Sequence, residues 1–292
     1  MKPQKFMSKR LLALSTAVLF SLGFGVANAT EPCGDFGECK VLIEINATDG
    51  DIGFHFLMDG DDLIRAALFN PHHRQIFKYR TRRELKHQFL TETFAESAEP
   101  LCFDPMFDED PDNDDEDFVT LAEFLERWSE GTYHFLGIGE DWEVSLGHTE
   151  LMFDLPAAPT TLAYDEGEIS WMPGDDLGEC SEGLEQLVAD GVLPDPAGVP
   201  VAAWEVVFEP DVEDGDIVGT FKYVVRIPGD AEELEVEVPD DYVKTLPDDT
   251  RIKIEVGAIG FGDNATFTEI FDICVNETEE DLCLAEDEEE EE

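Results

Sequence analysis

Positive charge is what this sequence has least of. Its 292 residues hold 18 lysines and arginines against 70 aspartates and glutamates, a formal net charge of −52. So acidic a chain is repelled by phosphate backbones and anionic lipid, which excludes nucleic acid and anionic membrane surfaces as partners. Long apolar runs are also missing. Past the first thirty residues nothing approaches the roughly 20 residues that a helix needs to cross a bilayer, so no membrane span is expected. The sequence contains no Gly-x-Ser-x-Gly, no cysteine–histidine pair in a reactive context and no glycine-rich phosphate loop. His72 and His73 are adjacent, which on a strand sends them to opposite faces and keeps them from sharing a metal. With 70 acidic residues, no single carboxylate pair speaks for glycosidase chemistry. No catalytic or cofactor-binding residue emerges, and the expectation is a protein that is not an enzyme.

What is present begins with a leader. Lys2, Lys5, Lys9 and Arg10 precede a short apolar run from Leu11 to Val26, and Ala27-Asn28-Ala29 supplies the small residues a signal peptidase requires. Residues 1–29 read as a signal peptide, with the mature chain starting at Thr30. No cysteine follows the cleavage point, which argues against a lipid anchor. The expected location is outside the cytoplasm, periplasmic or extracellular. Removing the four leader cations leaves 14 basic against 70 acidic residues, a net charge of −56. Such self-repulsion opposes a compact state unless salt screens it, over about 10 Å at 0.1 M and about 3 Å at 1 M. Either the chain is adapted to a saline exterior, or clustered carboxylates hold divalent cations.

All six cysteines follow the leader: Cys33, Cys39, Cys102, Cys180, Cys274 and Cys283. An even count in an exported chain argues for disulfides over free buried thiols. Cys33–Cys39 and Cys274–Cys283 would each close a small loop near a chain end. Cys102–Cys180 would then staple two distant segments.

The hydrophobic period is mostly two. Residues 40–47, 53–58, 63–69 and 75–80 are β-rich runs separated by DGD, DGDD and NPHH, which predicts four strands in an antiparallel meander. A strand over 90–95 follows. One helix is expected at 120–128, with Leu121, Phe124, Leu125 and Trp128 on one face. Strand character returns at 132–137 and 142–153. Residues 155–159, Leu-Pro-Ala-Ala-Pro, read as a domain boundary. Strands resume at 167–171, 201–208, 220–227, 234–238, 251–259 and 265–273, with a second short helix at 184–190. The tail Glu286–Glu292 is a charge run with no means of packing.

The stretches GEISWMP (167–173), AAWEVVFE (202–209), TFKYVVRIPG (220–229) and LPDDTRIKIEVGAIGFGDNATFTEIFDI (246–273) together resemble a fibronectin type III domain over about residues 160–275. Trp171 matches that family's buried tryptophan, Leu246 to Thr250 its corner, Val256 and Ala258 its Val-x-Ala, and Gly262 to Asn264 its final turn. Ile252 departs from the pattern, standing where the corner tyrosine belongs. The resemblance implies a seven-stranded sandwich serving as a spacer or binding module, and no catalytic residues. The first half is similar to β-regions that accompany this module in exported bacterial proteins.

Two charged segments stand out. Set on an EF-hand frame starting at Asp112, PDNDDEDFVTLAEF places Asp112, Asp114, Glu116 and Glu123 at ligand positions. Asp117 stands where the loop wants glycine, and Pro100, Pro105 and Pro111 forbid a preceding helix. The alternatives are a looser calcium site or a solvated acidic insert whose last carboxylates cap the helix. The second segment is basic: Arg65, Arg74, Lys78, Arg80, Arg82, Arg83 and Lys86 are half of the mature chain's cations. They either neutralise the protein's own acidic loops, bind an acidic ligand, or dock on an acidic face of another copy. Sequons begin at Asn46, Asn264 and Asn276.

The expected architecture is all-β, two β-sandwich-like domains in tandem. The first, residues 30–155, carries the acidic insert and one short helix. The second, residues 160–275, is immunoglobulin-like, of the fibronectin type III kind, and 276–292 form an acidic tail. The expected function is an exported, non-catalytic structural or binding module of the adhesion type. Its partner would be an extracellular or periplasmic protein or glycan, or a copy of itself. The alternative is a calcium-dependent binding protein using residues 108–123, with weakly bound calcium as its only cofactor.

Overall fold

The computed structural model describes residues 33–103, 118–212 and 216–278. The leader, the acidic tail and Asp112, Asp114 and Glu116 lie outside them. The fold is β-rich and sandwich-like. Strand β1 (Glu38–Asn46) alternates as its sequence requires, burying Val41, Ile43 and Ile45 and turning Lys40, Glu44 and Asn46 outward. It pairs antiparallel with β2 (Asp51–Phe69).

β2 corrects the expected meander. It is one strand of 19 residues, not two separated by a turn. Asp59-Gly60-Asp61-Asp62 is turn chemistry, yet here it is an irregularity inside the strand. Asp62 has φ 49°, and the pairing register shifts between Asp59 and Leu63. Such a break bends a strand without reversing it. The two arms therefore serve different neighbours. The first pairs with β1 and with β4 (Leu90–Glu96). The second pairs with β3 (Gln75–Arg80) and β5 (Gly131–Gly139), and β6 (Val144–Leu151) follows β5.

Between the arms lies the first core, which includes Ile43, Ile45, Phe54, Met58, Leu68, Tyr133 and Phe135. Helix α1 (Glu84–Gln88), unforeseen in the sequence, follows β3 and buries nothing. Helix α2 (Leu121–Arg127) sets Leu121, Phe124 and Leu125 into this core. Thr120 caps it by accepting the Glu123 amide.

The second half adds β7 (Thr160–Asp165), β8 (Glu168–Met172), β9 (Val201–Pro210), β10 (Tyr223–Pro228), β11 (Glu235–Glu237), β12 (Thr250–Gly260) and β13 (Ala265–Val275). Three strands in the order β11-β8-β7 face four in the order β10-β9-β12-β13. Ile169, Trp171, Trp204, Val206, Phe208 and Ile254 fill the space between, with the Trp171 and Trp204 rings 6.0 Å apart. β7 and the short helix α4 (Asp240–Val243) were not anticipated. Helix α3 (Leu184–Ala189) stands where the sequence put it.

Each half has its own core, but the halves share a sheet. β1 pairs in parallel with β13, so one sheet runs β10-β9-β12-β13-β1-β2-β5-β6. The connection between β8 and β9 crosses over as well. Leu177, Cys180, Leu184 and Leu193 belong to the first core. The Cys102–Cys180 disulfide pins that connection down, and Cys33–Cys39 closes the first strand's approach. Cys274 is also disulfide-bonded, while Cys283 lies outside the described residues. Residues 155–159, read from sequence as a linker-like boundary, are buried throughout.

Asn264 anchors the residues just before them. Fully buried, it accepts the Ile43 amide at 2.9 Å and donates to the carbonyls of Met152 at 2.7 Å and Asp154 at 3.2 Å. One side chain thus ties β1, β13 and the connection together. The same burial closes the Asn264 sequon in the folded protein.

Candidate functional site

The shared sheet gathers carboxylates on its outer face where β12, β13 and β1 meet. Residues directly opposite across a ladder share a face, so Glu255 stands beside Glu269, and Phe267 beside Gly257 and Asn46. Gly257 is required here, because a Cβ would lie 2.3 Å from the Phe267 ring. With Glu44, Asp51, Glu99 and Glu205 these residues line an open cleft of about 310 Å³.

The cleft holds more negative charge than it neutralises. Lys253 is its main counter-ion, paired with Glu255 and 3.4 and 3.5 Å from Glu209 and Glu269. Burial alone would pull the Lys253 ammonium down, but these carboxylates hold it above its usual range. Burial raises the Glu269 carboxyl, and Glu255 and Asp49 add to the shift against Lys253. Asp51 is pushed up to about 6 by burial and then by Glu99 and Asp49, opposed by a hydrogen bond from the Asn46 backbone. Glu44 is raised chiefly by burial, with His55 opposing.

One edge of the cleft could hold a metal. Donor atoms of Glu44, His55 and Glu99 lie within 4.8 Å of one another, the one such group among the described residues. The buried His55 Nε2 is 3.2 Å from Glu99 Oε1. Gly53 makes the room, since a Cβ there would lie 2.6 Å from Glu99 Oε1 and 2.7 Å from His55 Nε2. One imidazole and two carboxylates suit a zinc-like ion better than calcium, which takes six to eight oxygens. Sequence reasoning missed this group. Its members come from β1, β2 and the segment after β4, with no spacing to join them.

Of the proposed calcium ligands only Glu123 is described. It sits in the first turn of α2, where its carboxylate meets the Thr120 hydroxyl at 3.2 Å and its amide donates back at 3.4 Å. Thr120 is thus the N-cap, and the Glu123 carboxylate holds its hydroxyl in place. Arg74, Lys78, Arg80, Arg82, Arg83 and Lys86 fall on β3, on α1 and in the turns beside them. All are exposed, and none forms an ion pair among the described residues. They do not neutralise the described acidic loops. His73 stacks on His134, ring centroids 5.6 Å apart, and not with His72.

No protein-family model and no curated protein matches the sequence. Among solved structures, a tetra-tandem repeat from the extending region of a large adhesion protein is similar at 8% identity and TM-score 0.24, covering 82% of this chain and 49% of that one. The BSP domain of a biofilm-associated protein is similar at 10% identity and TM-score 0.22, covering 84% of this chain and 30% of that one. This chain therefore spans half or less of either structure. Likeness at that TM-score carries no argument for fold or function.

Proposed function

We propose that the protein is an exported, non-catalytic binding module of the adhesion type, with a fibronectin type III-like sandwich over about residues 160–275. The observation that carries this reading is the segregation of uncompensated charge on one disulfide-stapled body. Exposed, unpaired cations occupy the β3–α1 hairpin, and repelling carboxylates occupy the cleft on the shared sheet. Such surfaces recognise charged partners by complementarity. Other support comes from the leader, from disulfides suited to an oxidising compartment and from the three-on-four strand order around Trp171. The partner is an extracellular or periplasmic protein or glycan, or another copy of the chain. The test is to incubate the mature chain with extracellular polysaccharides and matrix proteins, measuring retention and product release together. Saturable retention without release is expected. Release that disappears in Glu99→Gln would contradict the reading.

A second reading, cation-dependent binding, is favoured by the Glu44–His55–Glu99 geometry. Titration calorimetry with zinc and with calcium separates its forms. Zinc heat lost in His55→Ala assigns this group. Calcium heat that survives His55→Ala but not Asp112→Asn with Asp114→Asn assigns the acidic 108–123 segment. The absence of both ends this reading.

A further inference from the structure

At the far end of β2 from the cleft, Arg65 stands directly across the ladder from Arg80 of β3. Like charges at opposed positions destabilise a sheet. Neither guanidinium meets a carboxylate among the described residues, and the Arg65 Nε is buried without a hydrogen-bond partner. A buried donor of a charged group left unpaired is unfavourable.

The Arg65 guanidinium lies 5.5 Å from the centroid of the Trp142 ring. Trp142 is unusual in its own right. It holds a left-handed φ of 65° in the turn after β5, yet it is 67% exposed. A bulky residue in that region is strained, and such strain concentrates at functional sites. Arg65, Arg80, Lys86 and Trp142, with Thr81 and Glu140, line a pocket of about 110 Å³. Three cations against one carboxylate leave it net positive, in a chain whose net charge is −52.

Opposed guanidiniums, an orphaned Nε and a strained, exposed indole are each unfavourable alone. A bound carboxylate relieves the first two and gives the indole something to cover. We propose that this pocket is a carboxylate socket, and that its occupant is an acidic side chain from the cleft of a second copy, joining copies head to tail. This deepens the binding-module reading by naming the partner.

A second copy is favoured because its cleft is the complementary surface: Glu44, Asp51 and Glu99 line it with no lysine or arginine partner among the described residues, whereas Glu205 is paired with Arg226. Within one copy the socket is not filled from the cleft: no cleft carboxylate forms an ion pair with Arg65, Arg80 or Lys86 among the described residues. A contact between unlike surfaces is heterologous, so copies add head to tail, into a ring where the rotation closes and into an open filament where it does not.

The test is sedimentation velocity of the mature, disulfide-bonded chain at about 0.15 M NaCl, where screening acts over about 8 Å. Mass should rise with protein concentration in the wild type and stay monomeric in Arg80→Glu with Lys86→Glu. It should also stay monomeric in Asp51→Asn with Glu99→Gln, which leaves the socket intact. Mixing these two non-assembling variants should give a discrete heterodimer, because one supplies a socket and the other a cleft. Folding of each variant is checked by its thermal melt.

The second readout is tryptophan fluorescence during citrate titration. The response should be lost in Trp142→Phe and in the Arg80, Lys86 variant. A wild type that is monomeric at every concentration, or a mixture that does not dimerise, overturns the second copy as occupant. Preferential binding of polygalacturonate through the same residues would do so too. A citrate response indifferent to Arg80 and Lys86 overturns the socket. A monomer that still retains an extracellular polymer would fail this inference and leave the binding-module reading standing.

Discussion

Asn264 is the residue on which the join between the halves depends most. Its amide satisfies three backbone groups from two segments, β1 and the connection after β6. Asn264→Ala would strand a buried amide and two carbonyls, so the expected loss is about 3 kcal/mol, measured by denaturant unfolding. A loss under about 1 kcal/mol would mean that water replaces the side chain. Asp51 gives a pH dependence of unusual sign. Its carboxyl titrates near 6 in the folded protein against an ordinary 3.8. The folded state therefore binds more protons between those values, and stability should fall as pH rises through 4 to 6. Asp51→Asn should remove that part of the slope and stabilise the protein above pH 6, as thermal melts across pH would show. At this scale the sequence was only partly legible. The basic cluster on β3 and α1 could be seen in advance. The orphaned Nε of Arg65 could not, because it depends on which strand lies opposite. The cleft's carboxylates were hidden among 70 acidic residues.

Among the elements, those with self-contained signals were readable. β1 shows strict alternation, and α2 combines a 3.6 period with a Thr120 N-cap. Cys33–Cys39 follows from proximity along the chain. β2 was misread because Asp-Gly is a strong local turn signal. β4 overrides it by pairing on both sides of the break, at Asp59 and at Leu63, while β1 ends at Asp59 and β5 begins at Leu63. Residues 155–159 looked like linker because proline and alanine carry no period. Tertiary contacts make them core: Leu155 packs into the first core and the Thr268 hydroxyl donates to the Pro159 carbonyl. The β8–β9 connection seals the first core, and Cys102–Cys180, 78 residues apart in sequence, holds it there. Loop-closure entropy for that separation is worth about 4 kcal/mol. Cys102→Ala with Cys180→Ala should cost about that much in chemical denaturation. Proteolysis should begin within 172–200. Cleavage elsewhere first would mean that the connection is held without the bridge.

For the whole molecule, charge and sheet continuity decide behaviour. At a net charge of −52 the compact state opposes itself, and monovalent salt should raise the melting temperature by several degrees between 0.1 and 1 M NaCl. If micromolar zinc gives the same rise at low salt, and His55→Ala abolishes it, cation binding and not screening is the source of the relief.

The cleft exists only because β1 and β13 pair. The most direct measurement is therefore hydrogen exchange under native conditions, followed at Ile43 and Ile45 of β1 and at Thr266 and Phe267 of β13. Both sets of amides should exchange together, at the rate of global unfolding, in a protein that melts in one calorimetric transition. Separate transitions, or β1 amides exchanging well before those of β13, would show two independent bodies and contradict the shared sheet on which the cleft depends.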